Sequence, residues 1–314
     1  MNGLRIATGD GDEAAADIVW RTRRVDSLPS EPGAGNPIAI VRGERKESGV
    51  ATDHIYGYDG RVRCRFRIDP DGFAISCQAL REVSDRDLFS VFAEPVMRTI
   101  LVRRALLSFH AAALSRNGRA ILIMADKGAG KSTLSWALQQ QGWQLLADDL
   151  ARVDPVDGRW SVFSGHRQTK LTPEAARAFG QAAENMPRRF DDSGPPAYAA
   201  RFDKRVIDAV DTLDEPAAAI PLAAFFFLNP RDPSAAAARA MAAPPSAAVR
   251  QLLQHATPDP LGNTLAAPPS LQRAIGGLAT RVKAVALTLP DRFDGLADAA
   301  ANIETFIAGR KSFA

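Results

Sequence analysis

The feature that most constrains this chain is a glycine-rich segment between an apolar run and a helix-forming run. It extends from Ala125 to Ser132, reads ADKGAGKS, and fits the pattern G-x-x-x-x-G-K-[ST] at every position except the first. The ILIM run before it is typical of a buried strand, and the STLSWALQQQ run after it is typical of a helix. A strand, a glycine-rich loop and a helix in this order direct backbone N–H groups at an anion. We therefore expect a phosphate-binding loop rather than a plain connecting turn.

The loop residues suggest how a nucleotide is held. Lys131 is expected to reach the β- and γ-phosphates, and Ser132 to ligate Mg²⁺. Ala125 weakens the loop only if its backbone needs a positive φ, which glycine adopts more easily. The residues that we expect to contact the nucleotide are Lys127, Gly128, Ala129, Gly130, Lys131, Ser132 and Thr133.

A hairpin is predicted just before the loop. Asn117-Gly118 is the preferred pair for a two-residue hairpin turn, so the runs LLSFHAAAL and AILIMA should pair antiparallel with Arg116 opposite Arg119. This register places His110 opposite Ala125, at the entrance to the loop. His110 is then either a group that orients or tunes a nearby base, or a histidine satisfied within the sheet.

Two adjacent acids follow the next strand. The segment from Ala120 to Asp149 forms a strand, a helix and a strand, and a right-handed crossover brings the ends of both parallel strands to one edge. Asp148 and Asp149 should therefore emerge near the phosphates. Because successive strand residues point in opposite directions, we expect the two carboxylates to have different tasks. We assign Asp148 as general base and Asp149, with Ser132, to Mg²⁺; the alternative is a helix cap or turn.

Phosphoryl transfer needs a further cation to stabilise the charge of the transition state. Four basic residues lie on segments that can return to the loop: Lys170, Arg201, Lys204 and Arg205. We select Lys170 as a nucleotide contact and Arg205 as a catalytic residue. The alternative is that these residues are solvated surface charges.

Composition narrows the class of protein. With 46% hydrophobic and 24% charged residues, the 314-residue chain is typical of a globular protein that has room for two domains. Basic residues exceed acidic ones by only three, 39 against 36, so the charge does not call for nucleic acid. The apolar run LAAFFFL, 222–228, is shorter than the roughly 20 residues of a membrane helix and predicts a buried strand.

Three further expectations concern the environment of the chain. No export signal is recognised at the N-terminus, so we expect a cytoplasmic protein without membrane association. Cys64 and Cys77 show no metal-ligand spacing and should be buried thiols, with a disulfide between neighbouring strands as the alternative. The sequence leaves the oligomeric state open, including a homo-oligomer.

The remaining patterns suggest two domains. Residues 1–100 hold short strand-like runs broken by Gly, Pro, Asn and Asp, which predict a mostly antiparallel β-rich domain for which substrate or partner recognition is the hypothesis. Residues 101–314 should form an α/β P-loop domain with a mixed sheet. A helical pattern near Leu88 joins the two and should kink or break at Pro95. Alanine and proline dominate Pro233 to Ser246, which predicts a loop.

The segment from His110 to Asp154, HAAALSRNGRAILIMADKGAGKSTLSWALQQQGWQLLADDLARVD, resembles the catalytic domain of HPr kinase/phosphorylase and its relatives. The resemblance implies a core similar to phosphoenolpyruvate carboxykinase and phosphate transfer from ATP, with Mg²⁺, to a serine of a partner protein. By position, it also implies catalytic roles for His110, Lys131, Ser132, Asp148 and Asp149.

The departures from this family narrow the expected activity. Ala125 replaces the first loop glycine, Thr133 replaces a glutamate, and the Glu-Ile-Arg-Gly signature of HPr kinases is missing. The chain looks more like the divergent relatives found in peptide-modification clusters, including lasso-peptide precursor kinases. The leading hypothesis is a serine kinase acting on a Ser or Thr of a precursor peptide. The alternatives are an HPr kinase of carbon regulation and a nucleotide-binding switch that phosphorylates nothing.

Overall fold

The computed structural model describes residues 1–2, 4–8, 16–31, 38–58, 60–188, 204–208, 219–258, 261 and 269–307. Within this part of the chain, the first 80 residues form a six-stranded sheet in the order β1-β2-β6-β5-β4-β3. Its strands are β1 (Ile6–Thr8), β2 (Ile18–Val25), β3 (Ile38–Lys46), β4 (Gly49–Tyr58), β5 (Arg61–Ile68) and β6 (Ala74–Leu80). The strands from β6 to β3 are antiparallel, as expected, whereas β1, β2 and β6 run parallel.

The fifth strand shows how the sequence forms this sheet. In RVRCRFRI every second residue is apolar, and because side chains alternate between the faces of a strand, the apolar set turns inward. Phe66 is completely buried, while the arginines lie on the other face. Cys64 and Cys77 are both buried and free, so the expectation of buried thiols is confirmed. Burial raises the pKa of both thiols, which keeps them protonated.

A helical segment leads out of this sheet. It consists of α1 (Asp85–Val91), a π-helical turn (Phe92–Val96) and α2 (Met97–Arg103). The Ser84 hydroxyl accepts a hydrogen bond from the Asp87 amide and caps α1. Pro95 lies inside the π turn, where the missing N–H interrupts the α-helical ladder without ending the helix. The division of the chain at residue 100 remains a prediction, and that position lies within α2.

The second sheet contains nine strands in the described part of the chain, with the main order β10-β8-β9-β15-β12-β11-β7; in addition, β17 pairs with β15, and β16 pairs with β17. Strands β13 and β14 form a separate pair. The strands of the second sheet and of this separate pair are, in chain order, β7 (Ser108–Phe109), β8 (Ala111–Arg116), β9 (Arg119–Ala125), β10 (Gln144–Ala147), β11 (Ala151–Val156), β12 (Arg159–Phe163), β13 (Gln168–Leu171), β14 (Arg205–Asp208), β15 (Ala219–Leu228), β16 (Arg239–Ala242) and β17 (Lys283–Thr288). The sheet is mixed, because β9, β15 and β17 run parallel while β8, β10 and β12 each pair antiparallel.

Helices cover both faces of the second sheet. They are α3 (Lys131–Gln140), α4 (Pro173–Ala178), α5 (Pro245–His255), α6 (Pro269–Arg281) and α7 (Gly295–Ile307). Phe225 and Phe227 of β15 pack in a core that includes residues of α5 and α6, while Phe226 packs in a core with residues of α3 and α7. A strand buried on both faces is apolar at every position, which explains the LAAFFFL run and confirms the predicted buried strand.

Two sequence expectations need correction. The stretch from Pro233 to Ser246 was expected to be a loop, but β16 lies within it and pairs antiparallel with β17. Helix α6 was not anticipated at all, because the glycine pair Gly276-Gly277 weakens its helical signal; packing of Ile275 and Leu278 against the sheet compensates. None of the described helices has the length and apolar character needed to cross a membrane.

Candidate phosphate-binding and acidic site

The ends of three neighbouring strands bring the predicted site residues to one edge of the second sheet. β8 lies between β9 and β10 and is antiparallel to both. Arg116 pairs with Arg119, which confirms the register predicted from the Asn117-Gly118 turn. The end of β9, the start of β8 and the end of β10 therefore meet at the same edge. Strands β9 and β10 run parallel as expected, although β8 separates them.

The glycine-rich loop connects β9 to α3 at this edge. Gly128 and Gly130 adopt φ values of +90° and +103°, which only glycine reaches without strain. Ala125 belongs to β9, pairs with Leu228 of β15 and has no positive φ, so alanine does not strain the first position of the loop. Gly130 caps α3, and no described side chain bonds to the amides of the first turn. Those N–H groups are available to an anion.

The end of α5 fixes both the loop and the neighbouring strand. Gln254 donates its Nε2 hydrogen to the Asp126 carboxylate at 2.9 Å. The next residue, His255, accepts a hydrogen bond from the backbone N–H of His110 at 2.8 Å through its carbonyl oxygen. This bond accounts for the break between β7 and β8 at His110, where the sequence suggested one continuous strand.

Lys131 holds the two acids together. Its Nζ lies 3.0 Å from Asp148 Oδ1 and 2.7 Å from Asp149 Oδ1. The Lys131 and Asp148 side chains are almost completely buried, with exposures of 9% and 2%. The expectation that the two carboxylates point apart is therefore wrong. β10 ends at Ala147 and Asp149 adopts a φ of +64°, so the alternation of an extended strand no longer applies at the acids.

Lys170 approaches the same acids from the separate strand pair. Its Nζ lies 3.0 Å from Asp149 Oδ2, and it also forms an ion pair with Glu94. Glu94 lies in the π-helical turn, so the helical segment that follows the first sheet contributes a residue to the site. The Lys170 side chain is 1% exposed, which means that its charge depends on these acids.

The short strand pair places Lys204 and Arg205 on opposite faces. In the β13–β14 pair, Lys170 lies opposite Val206 and Leu171 opposite Arg205. Alternation therefore places Arg205 on the face of Leu171, where its Nε donates to the Ala183 carbonyl at 2.6 Å. Lys204 shares the face of Lys170. Burial lowers the pKa of Lys204, and Asp149 and Asp148 act in the opposite direction.

His110 contacts the backbone of the acidic pair. Its Nδ1 lies 3.1 Å from the carbonyl oxygen of Asp149 and 4.0 Å from Asp149 Oδ1. A carbonyl oxygen only accepts, so Nδ1 carries the hydrogen in this arrangement. Burial and the nearby Lys131 lower the pKa of His110, against the opposing effect of Asp149. The lowered pKa favours the neutral imidazole, in which Nε2 is a hydrogen-bond acceptor.

The charges of the site are strongly coupled. Burial alone raises the pKa of Asp149, but Lys131 and Lys170 outweigh it and hold that pKa well below its usual range. For Lys131, burial acts to lower the pKa, but the two nearby acids outweigh burial, so the pKa of Lys131 is raised. At neutral pH an ionised Asp149 therefore faces the Lys131 ammonium in a poorly solvated space, where charges act strongly on each other.

The acids also fit a divalent cation. Asp148 Oδ2 is buried and has no hydrogen-bond partner among the described residues, so one acceptor remains unused. Ser132 is half-buried in the first turn of α3 and offers a hydroxyl oxygen. Within the described ranges no group of three or more His, Cys, Asp or Glu forms a complete metal cage. Mg²⁺ usually takes only one or two carboxylates, with substrate phosphates and water completing the shell.

The remaining loop residues differ in their exposure to solvent. Lys127 and Gly128 are exposed, Ala129 is half-buried, and Thr133 is buried within the first turn of α3. Sequence reasoning did not identify Glu94, and it selected Arg205 rather than its neighbour Lys204. A glutamate directly before a proline inside a helical pattern was the available signal for Glu94, since π turns often occur at functional sites.

No protein-family model matches the chain, and no curated protein matches it. Among solved structures, the chain is similar to the "Structure of the Hpr(Ser) kinase/phosphatase from Coxiella burnetii", with a TM-score of 0.29 and 15% sequence identity. The similarity covers 65% of this chain and 95% of that chain.

Proposed function

We propose that this chain binds ATP on the loop at 125–132 and transfers its terminal phosphoryl group to a Ser or Thr hydroxyl of a peptide or protein. The observation that carries the proposal is the contact of Lys131 with both Asp148 and Asp149, directly beside helix amides that have no side-chain cap. A phosphate cradle beside buried carboxylates supplies the two requirements of phosphoryl transfer, which are a bound donor and a base.

Asp148 is assigned as the base. In the transfer, its carboxylate takes the proton of the acceptor hydroxyl while the hydroxyl oxygen bonds to the γ-phosphorus. The bond from phosphorus to the bridging oxygen breaks, and ADP leaves with the electron pair. The unused Asp148 Oδ2 supports this role, because it has no competing donor among the described residues.

Lys131 links donor binding to activation of the base. Without nucleotide, its ammonium contacts both acids and is the described cation on Asp148. When the ammonium turns to the β- and γ-phosphates, Asp148 loses this partner, and its carboxylate becomes available to accept a proton. The acids are thus held inactive until a donor is bound.

Asp149 and Ser132 are assigned as ligands of Mg²⁺, which would neutralise negative charge on the phosphates when bound. Asp149 Oδ1 loses Lys131 when that ammonium turns to the phosphates, which leaves this oxygen open to a cation. We assign to Lys170 and Lys204 the role of stabilising the negative charge that develops on the transferred phosphoryl group. His110 is assigned as a positioning residue that holds the backbone of Asp149 through its carbonyl oxygen.

The acceptor is proposed to be a precursor peptide of a modification cluster, on the strength of the sequence resemblance alone. The test is to incubate the purified chain with ATP and Mg²⁺, and with either HPr or a pool of Ser- and Thr-containing peptides, and to measure a mass gain of one phosphate. Labelling of peptides supports the proposal, and labelling of HPr alone makes the chain a carbon-regulation kinase. ATP binding that depends on Lys131, without any labelled acceptor, would instead indicate a nucleotide switch.

A further inference from the structure

Arg231 lies against the glycine-rich loop. It follows β15, which runs parallel to β9 and pairs Leu228 with Ala125, so the residues after both strands emerge side by side. A Cβ atom built on Gly130 would lie 3.0 Å from Arg231 Nη2 and 3.3 Å from Arg231 Nε. The guanidinium therefore occupies the space beside Gly130, the last residue before α3.

The guanidinium is oriented but incompletely paired. Arg231 Nη1 donates to Asp291 Oδ1 at 3.1 Å, which fixes the plane of the group. Arg231 Nε is buried and has no hydrogen-bond partner among the described residues. An unpaired buried N–H costs free energy, so an acceptor at this place would be favourable. The side chain retains 25% exposure, which leaves it accessible to a ligand in the loop.

We propose that Arg231 binds the phosphate chain of the nucleotide, through Nε and Nη2. This inference rests on the proposed nucleotide site and deepens it. A guanidinium presents parallel N–H groups that match two phosphate oxygens, which an ammonium such as Lys131 does not. Asp291 acts as the positioning residue, since it holds Nη1 and leaves the other two nitrogens facing the loop.

The same geometry explains why position 130 requires glycine beyond its positive φ. A side chain there would meet the guanidinium and displace it from the loop. Arg231 therefore either binds phosphate or only supports the backbone of the loop. These two roles differ in what they require, because support needs the bulk of the side chain and phosphate binding needs its charge.

The test measures ATP and ADP affinity by calorimetric titration of wild-type chain, Arg231→Ala, Arg231→Gln and Lys131→Ala. Arg239→Ala is the matched control, because Arg239 forms an ion pair with Asp232 nearby and its loss changes the net charge equally. We expect Arg231→Gln and Arg231→Ala to weaken ATP binding by about ten- to a hundredfold, as for a lost charge-assisted hydrogen bond. Melting temperatures should stay unchanged, and Arg239→Ala should bind like the wild type.

Two results would overturn the proposed role of Arg231 while leaving the proposed nucleotide site intact. One is ATP affinity in Arg231→Ala equal to that of the wild type, while Lys131→Ala abolishes binding. The other is normal affinity in Arg231→Gln with lost affinity and a lowered melting temperature in Arg231→Ala, which would indicate loop support. If the wild-type chain binds neither ATP nor ADP, the proposed function fails, and the role of Arg231 fails with it.

Discussion

Replacing Lys131 by methionine should destabilise the chain by about 3 to 5 kcal/mol near neutral pH, the usual cost of leaving a buried charge without its partner. Methionine keeps the apolar length of the side chain and removes only the ammonium. Asp148 then loses its described ammonium partner, while Asp149 retains Lys170. The Lys131 and Asp148 side chains are only 9% and 2% exposed, so water cannot replace the lost ammonium, and the loss belongs in the range of buried pairs.

The pH dependence of this loss has a definite sign. The pKa of Asp149 is lowered in the folded chain, so its contribution to stability is present above the unfolded pKa and disappears as pH falls through the folded pKa. In the methionine variant Asp149 loses one of its two ammonium partners and protonates more readily. The difference in unfolding free energy between variant and wild type should therefore be largest near neutral pH and shrink in acid.

The assay is denaturant unfolding followed by tryptophan fluorescence, since Trp136 lies in α3 and Trp143 just after it. Lys127→Met is the matched control, because Lys127 is an exposed lysine of the same loop. The double variant Lys131→Met, Asp148→Asn should recover part of the lost stability. The reasoning is refuted if Lys131→Met loses no more stability than Lys127→Met, or if its loss does not change with pH.

Three further predictions, each with its own pair of variants, test other parts of the structure. Phe226→Ala should lower the unfolding free energy by about 3 to 5 kcal/mol, since this side chain is completely buried, and a loss no larger than that of the exposed Phe73→Ala would contradict the described core. Gly118→Ala should cost about 1 to 2 kcal/mol through its φ of +69° alone, with Gly118→Asn costing less, and equal stability of both variants would count against the turn. Lys204→Met should slow phosphoryl transfer at unchanged stability whereas Arg205→Met should mainly lower stability, and the reverse pattern in kinetics and unfolding would contradict the assignment of faces.

Local rules predicted the parts of the site that depend on local structure. The Asn117-Gly118 pair fixed the hairpin register, because both residues adopt the positive φ that a tight turn requires. The register and the strand order were then enough to bring His110 to the edge where the loop begins. The rule that side chains alternate along a strand failed at Asp149, whose backbone adopts a left-handed conformation directly after the strand. An aspartate in the sequence does not by itself indicate this conformation.

Contacts between residues far apart in the chain could not be predicted from the sequence. Glu94 reaches Lys170 from a helix 76 positions earlier in the chain, and Arg231 reaches the loop only because β15 lies beside β9. Neither contact follows from spacing or periodicity. The choice between residues 204 and 205 depended on which face of a short strand pair meets the acids, and the pairing of β13 with β14 was not predictable.

The most direct test of the central claim compares Asp148→Asn with the wild type in ATP affinity and in phosphoryl transfer to a Ser- and Thr-containing peptide pool. Asp157→Asn, in an exposed turn, is the control. We predict that Asp148→Asn still binds ATP but labels peptides about a hundredfold to ten-thousandfold more slowly, as expected for loss of a general base. Transfer at the wild-type rate by Asp148→Asn, or ATP binding by the wild type without any labelled peptide, would contradict the claim.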